Sequence, residues 1–172
     1  MPTNDVDPSG RANRPGEPFG ANAAALPERS PLSHAVPSWV KEGAVFFVTI
    51  CAENRASRPL LNNDIAARLI ESVAFLHDRG VWFARLFLVM PDHVHGLISF
   101  PQGTAMSARV AAWKGYTSKT YGVRWQDRFF DHRLRTEDSV DEKAHYIRAN
   151  PVRAGLTSTS GQWPYVFDAF NR

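Results

Sequence analysis

The sequence predicts an α+β chain with a ferredoxin-like split β-α-β core, an antiparallel sheet with helices on one face, plus an added C-terminal helix that carries Tyr146. Three observations predict it. Residues 43–51 and 81–90 are β-branched and aromatic runs of strand length. Residues 65–76 and 105–121 set apolar side chains at helical spacing after each outer strand of this pattern. Only Pro91 and Asp92 separate residues 81–90 from the next strand, 93–100, so those two pair as a hairpin while helices separate the other strands.

The elements follow in order. Residues 1–38 hold seven of the 12 prolines, with Gly, Asn, Ser and Ala between them and little bulky apolar surface. Such a segment cannot offset its ordering entropy, so a disordered tail is expected there and a single domain over 39–172. After the first strand, Asn62, Asn63 and Asp64 offer N-caps, Ile65, Leu69, Val73 and Leu76 form the apolar stripe, and Gly80 supplies a stop. The helix over 105–121 sets Met106, Val110, Trp113 and Tyr116 or Thr117 along one side and Arg109, Lys114 and Lys119 on the other face. Residues 125–135 read as a loop feeding a fourth strand. Ser139 with Glu142 matches a capping box for the last helix, which is expected to stop at Asn150-Pro151. Residues 152–172 read as a loop anchored by Trp163 and Phe167.

Composition narrows the function classes. The chain has 172 residues, 44% of them apolar, enough for a buried core. No apolar run reaches membrane-spanning length, and the start lacks the basic, apolar and small-residue succession of a secretory leader. With one cysteine, Cys51, no intrachain disulfide can form, and a cytoplasmic setting is expected. The net charge is +3, but the first 38 residues carry three arginines against four acids, so the basic excess lies in the domain, mostly after Ala108. A one-sided basic surface is the electrostatic footprint of a nucleic-acid binder, and also a common solvated face.

The chemistry gathers around His93 and His95. Flanking Val94 in a strand, they project from one face, and two neutral imidazoles on a rigid strand are half of a divalent-metal site. A His-x-His pair is also ordinary strand composition. Tyr146 and Asn150 lie four apart on the last helix and share a face. If that face covers the histidine strand, an amide carbonyl can complete a three-ligand site and a phenol stands beside a Lewis acid, an arrangement suited to attack on a phosphodiester. The competing assignments are a packing tyrosine and a helix-capping asparagine.

Three blocks in order carry a resemblance. Met90-Pro-Asp-His-Val-His95, Trp125-Gln-Asp-Arg-Phe-Phe-Asp-His132 and Tyr146-Ile-Arg-Ala-Asn-Pro-Val-Arg-Ala-Gly-Leu156 resemble the IS200-like single-tyrosine (HUH, Y1) transposases, in particular the branch associated with repetitive extragenic palindromes (REP). The resemblance covers residues 44–167. It implies His93, His95 and Asn150 as metal ligands, Mg²⁺ or Mn²⁺ as the metal, and Tyr146 as a nucleophile that cuts single-stranded DNA beside a hairpin. It implies a 5′ phosphotyrosine, a free 3′ hydroxyl, and a monomer or homodimer with no membrane partner. Asn150 stands where insertion-sequence members typically place Gln. Weaker assignments are Arg109, Lys114 and Lys119 as DNA contacts or a solvated helix face, Trp125, Gln126 and Arg128 as DNA contacts or packing, and His132 and His145 as outer-shell or structural residues. The alternatives are a hairpin binder or repressor with little catalysis, an RNA-binding module on the same fold, and a relaxase or rolling-circle initiator.

Overall fold

Five strands build the sheet: β1 (Val45–Cys51), β2 (Phe83–Val89), β3 (His93–Ser99), β4 (Phe130–Arg133) and β5 (Val166–Asp168). Three helices pack on it: α1 (Ile65–Asp78), α2 (Met106–Tyr121) and α3 (Glu137–Arg153). The computed structural model describes residues 43–62 and 64–171; the tail read over 1–38 lies outside them, as does Asn63. Spatial order is β4-β1-β3-β2-β5 with every pair antiparallel. The first four strands are the predicted split β-α-β core. The fifth corrects the loop expected over 152–172: Val166–Asp168 pairs with Leu86–Leu88 on the edge of β2.

Alternation along the strands divides the interior into two cores. Phe46, Val48 and Ile50 of β1 and Val94 and Ile98 of β3 meet α1 and α2 through Leu69, Val73, Val110 and Trp113. Val45 and Phe47, with Leu86, Leu88 and Leu97, meet α3 through Val140, Ala144 and Ile147. So α1 and α2 share one face and α3 covers the other. A bulge between Ala84 and Leu86 switches the parity of β2, which lets Ala84 enter the first core and Leu86 the second.

Helix ends follow local chemistry. Gly80 adopts φ 64°, and bonds from Gly80 N–H to His77 O (3.0 Å) and Val81 N–H to Leu76 O (3.0 Å) close α1 in a Schellman motif. At its start, Asp64 lies in the left-handed region without a side-chain cap, so the capping expected there does not form at that residue. The cap of α3 is Thr136, whose Oγ1 accepts from Ser139 N–H at 3.2 Å; the predicted Ser139–Glu142 box is displaced by one turn. Nor does α3 stop at Asn150. It runs through Pro151 to Arg153, and the reason is local. Proline has no N–H to offer Ile147 O, but Asn150 Nδ2 donates to Tyr146 O at 2.9 Å and lies 3.4 Å from Ile147 O.

Trp125 is buried rather than presented to a ligand. Its indole packs 5.3 Å from that of Trp113 and donates to Thr117 Oγ1 at 2.9 Å, while Trp113 donates to Ser72 Oγ at 2.9 Å. Both N–H groups thus enter the core satisfied.

Gly96 is the tightest point of β3. A Cβ there would lie 2.9 Å from Ile98 Cδ1 and 3.1 Å from Phe87 Cδ2, both in the first core. Gly96→Ala is therefore expected to destabilise the domain by about 1–3 kcal/mol through overpacking, read as a lowered urea midpoint; an unchanged midpoint would show that the core yields at no cost.

Candidate active site

The centre of the sheet holds the histidine pair. β3 is hydrogen-bonded on both sides, with Thr49 opposite His95 on β1 and Leu88 opposite it on β2. Strand parity aims both imidazoles at the α3 side, and Val94, 1% exposed, is buried on the other. The two Nε2 atoms converge to 3.1 Å. Each Nδ1 has its own partner: Asp92 Oδ1 at 2.7 Å from His93, and Thr49 Oγ1 at 2.9 Å from His95. Asp92 is held in turn by Arg55 Nε at 2.6 Å. Burial alone would raise the Asp92 pKa; hydrogen bonds from His93 and Arg55 outweigh it and hold the carboxyl below its ordinary value.

The partner of His93 dictates its tautomer. A carboxylate only accepts, so His93 donates from Nδ1 and turns a lone pair outward at Nε2. His95 can then donate from Nε2 to that lone pair while the Thr49 hydroxyl donates to its Nδ1. With the hydroxyl rotated, His95 donates from Nδ1 to Thr49 and frees a second lone pair beside the first. A hydroxyl serves either state, since it both donates and accepts. The spacing suits a hard divalent ion: cis ligands of an octahedron with bonds of about 2.1 Å are about 3.0 Å apart. His95, 6% exposed, has its pKa pushed down to about 3 by burial first, then by His93 and Lys143, against the opposing pull of Asp92.

Tyr146 comes from the facing helix. Val140, Ala144 and Ile147 bury one stripe of α3, which leaves Tyr146 on its flank, 40% exposed, with its ring 6.2 Å from that of His95. Phe47 packs against both, 5.4 Å from His95 and 6.3 Å from Tyr146. No described residue hydrogen-bonds the phenol. Asn150 lies one turn on, its Nδ2 committed to the helix backbone, which leaves Oδ1 as the atom able to bind a cation. Among the described residues, no hydrogen bond joins Asn150 to either histidine, and no group of three His, Cys, Asp or Glu forms a metal cluster.

Residues 45–150 match the family model described as "Transposase IS200 like". The chain belongs to that family. The REP-associated tyrosine transposase of Escherichia coli strain K12 is 28% identical over 134 residues, covering 76% of this chain and 79% of the relative. A relative from Haemophilus influenzae is 27% identical over 144 residues, covering 72% and 79%. A solved REP-associated tyrosine transposase bound to a REP hairpin shares the fold, with a TM-score of 0.63 and 24% identity over 74% of this chain and 78% of that one.

The other predicted residues of this IS200-like chain scatter. Arg109, Lys114 and Lys119 stand on α2, across the sheet from the histidines. Arg109 lines a groove between α1 and α2. Lys114 Nζ donates to Gln126 O at 2.6 Å and Asp127 O at 2.9 Å, so it secures the loop after Trp125. Lys119, Arg128, His132 and His145 are exposed, and no hydrogen bond joins either histidine to the pair. Sequence reasoning missed Thr49, Lys143 and Arg153. Thr49 was findable only through strand register; Lys143 and Arg153 lie three before and seven after Tyr146, a helical spacing visible in the sequence.

The low His95 pKa has a consequence for metal-free protein. The unfolded chain takes up this proton near pH 6.5, the folded chain only near 3, so folded His95 binds fewer protons between them. Its contribution leaves stability intact above pH 6.5 and subtracts from it as pH falls toward 3. In urea titrations with chelator, His95→Gln is expected to lose less stability than wild type between pH 7 and 4.5; equal losses would place the acid sensitivity elsewhere.

Proposed function

We propose that this chain is a divalent-metal-dependent endonuclease and transposase that cuts and rejoins single-stranded DNA beside REP-type hairpins through a 5′ phosphotyrosine. The observation that carries the reading is the convergence of two Nε2 atoms at 3.1 Å beside a tyrosine ring 6.2 Å away, in a member of a transposase family. The hairpin comes from the relatives, one of them solved with a REP hairpin bound.

His93 and His95 would hold Mg²⁺ or Mn²⁺, with Asn150 Oδ1 as the third protein ligand. When bound, the ion would polarise a non-bridging phosphate oxygen and offset charge in the transition state. The protein's own residues do the rest. Asp92 and Thr49 fix the imidazole orientations, the outer-shell role that metal-binding histidines require. The Tyr146 hydroxyl gives up its proton to solvent and attacks phosphorus, a Tyr146 Oη–P bond forms, the P–O3′ bond breaks, and the 3′ oxygen takes up a proton from solvent and leaves as a hydroxyl. The phosphotyrosine conserves the bond for rejoining when a 3′ hydroxyl attacks it. The RNA-binding alternative is disfavoured because helices cover both faces of the central strands, leaving no open aromatic platform.

Incubation with a labelled single-stranded hairpin and Mn²⁺ should give a denaturant-resistant adduct. Tyr146→Phe should abolish it while retaining hairpin binding, and His93→Ala or His95→Ala should slow cleavage more than about 100-fold. Persistent cleavage by Tyr146→Phe would remove the assigned nucleophile; binding without any adduct in wild type would leave a hairpin binder. Thr49→Val is expected to weaken Mn²⁺ binding about 10- to 100-fold by calorimetry, and an unchanged affinity would deny it the tautomer role.

A further inference from the structure

The helix stripe that carries Tyr146 also carries two cations. Lys143, Tyr146, Asn150 and Arg153 follow at intervals of three, four and three, so they line one side of α3. Lys143 Nζ lies 5.1 Å from the Tyr146 ring centroid and 5.0 Å from that of Phe47. The Arg153 guanidinium lies 5.5 Å from the same tyrosine ring. Arg55, Arg85, Arg124 and Arg148 each rest on a carboxylate. Among the described residues, Lys143 and Arg153 form no ion pair. The two cations beside the Tyr146 ring are therefore bound to no carboxylate among the described residues, at the place where a polyanion would have to approach.

We propose that Lys143 and Arg153 form a clamp for the DNA backbone, Lys143 on a non-bridging oxygen of the phosphate that Tyr146 attacks and Arg153 on a neighbouring phosphate of the same strand. The clamp rests on the reading of Tyr146 as the nucleophile. In the attack that reading describes, the phosphoryl group passes through a state with one more negative charge than the bound diester. An ammonium at the attacked phosphate gains interaction energy at that moment, so Lys143 accelerates the step more than it tightens binding. Arg153, on a phosphate whose charge does not change, contributes to binding alone. The ring contacts keep both long side chains aimed along the stripe without neutralising them.

Two measurements test this. The first needs no knowledge of the hairpin: binding of a dT12 single strand as a function of salt. Each phosphate contact in a single strand contributes about 0.7 to the slope of log K against log salt. The Lys143→Gln/Arg153→Gln double variant should lower that slope by about 1.4, and Tyr146→Phe should leave it unchanged. An unaltered slope in the double variant overturns the clamp. The second measurement is the single-turnover rate of adduct formation on a hairpin substrate. Lys143→Gln should slow it about 10- to 100-fold with little loss of hairpin affinity, and Lys143→Met, which keeps the packing on Phe47, should do the same. Lys143→Arg should recover part of the rate. If Lys143→Met instead reacts at the wild-type rate, Lys143 acts through packing on Phe47 and its assignment falls. These outcomes separate from failure of the nucleophile: that failure appears as adduct formation by Tyr146→Phe, whatever the two cations do.

Discussion

The pairing of β3 with strands on both sides is the constraint from which the site follows. A central strand cannot slip by one residue without sending every side chain to the opposite face. Its register places Thr49 against His95 and Cys51 against His93. The same ladder that buries Val94 in one core therefore turns the two imidazoles toward α3. Their positions are fixed by the backbone; Asp92 sets the tautomer of His93, and the Thr49 hydroxyl supports either tautomer of His95. An edge strand would have left one side of this frame unsupported.

The division into two cores serves the same end. With α1 and α2 gathered on one face, the other is free for a helix that need not be followed by another strand of the split core. α3 buries one stripe, Val140, Ala144, Ile147 and Pro151, and keeps its other described positions for polar work. Its continuity past Asn150 matters, because a helix ending there would lose the turn that carries Arg153. Asn150 supports that turn itself. Its amide nitrogen closes the gap opposite Pro151, and the oxygen of the same group stays available. One side chain thus repairs the backbone and keeps a donor oxygen beside Tyr146.

Much of this was legible in the sequence, for reasons of periodicity. A two-residue repeat put His93 and His95 together, a four-residue interval put Tyr146 and Asn150 together, and tight hairpin spacing between 90 and 93 gave the strand order. What escaped depends on contacts between distant segments. Nothing in Val166–Asp168 marks three residues as a strand until the exposed edge of β2 supplies its partner. The stop expected before Pro151 follows a sound local rule that a side-chain hydrogen bond overrides. Helical period says only which residues of α2 share a side, so it leaves Arg109, Lys114 and Lys119 open as DNA contacts or as a solvated face. Period does not say which side of the sheet that helix occupies, and Lys114 turned out to hold the loop after Trp125.

The tyrosine's position rests on the C-terminal segment as well as on the sheet. Arg148, on the side of α3 away from Tyr146, donates from Nε and Nη2 to Asp168 Oδ2 at 2.9 and 2.7 Å. Asp168 ends β5, and Trp163 upstream donates to Val89 O at 2.9 Å. The short strand that the sequence hid is thereby a brace between the edge of the sheet and the helix. Apolar packing through Ala144 and Ile147 sets how close α3 lies, but small contacts of that kind permit rotation about the helix axis. A charge-assisted pair at one flank opposes such rotation. Since a turn of a few tens of degrees would carry the Tyr146 ring away from His95, the brace and the histidine strand together define where the phenol stands.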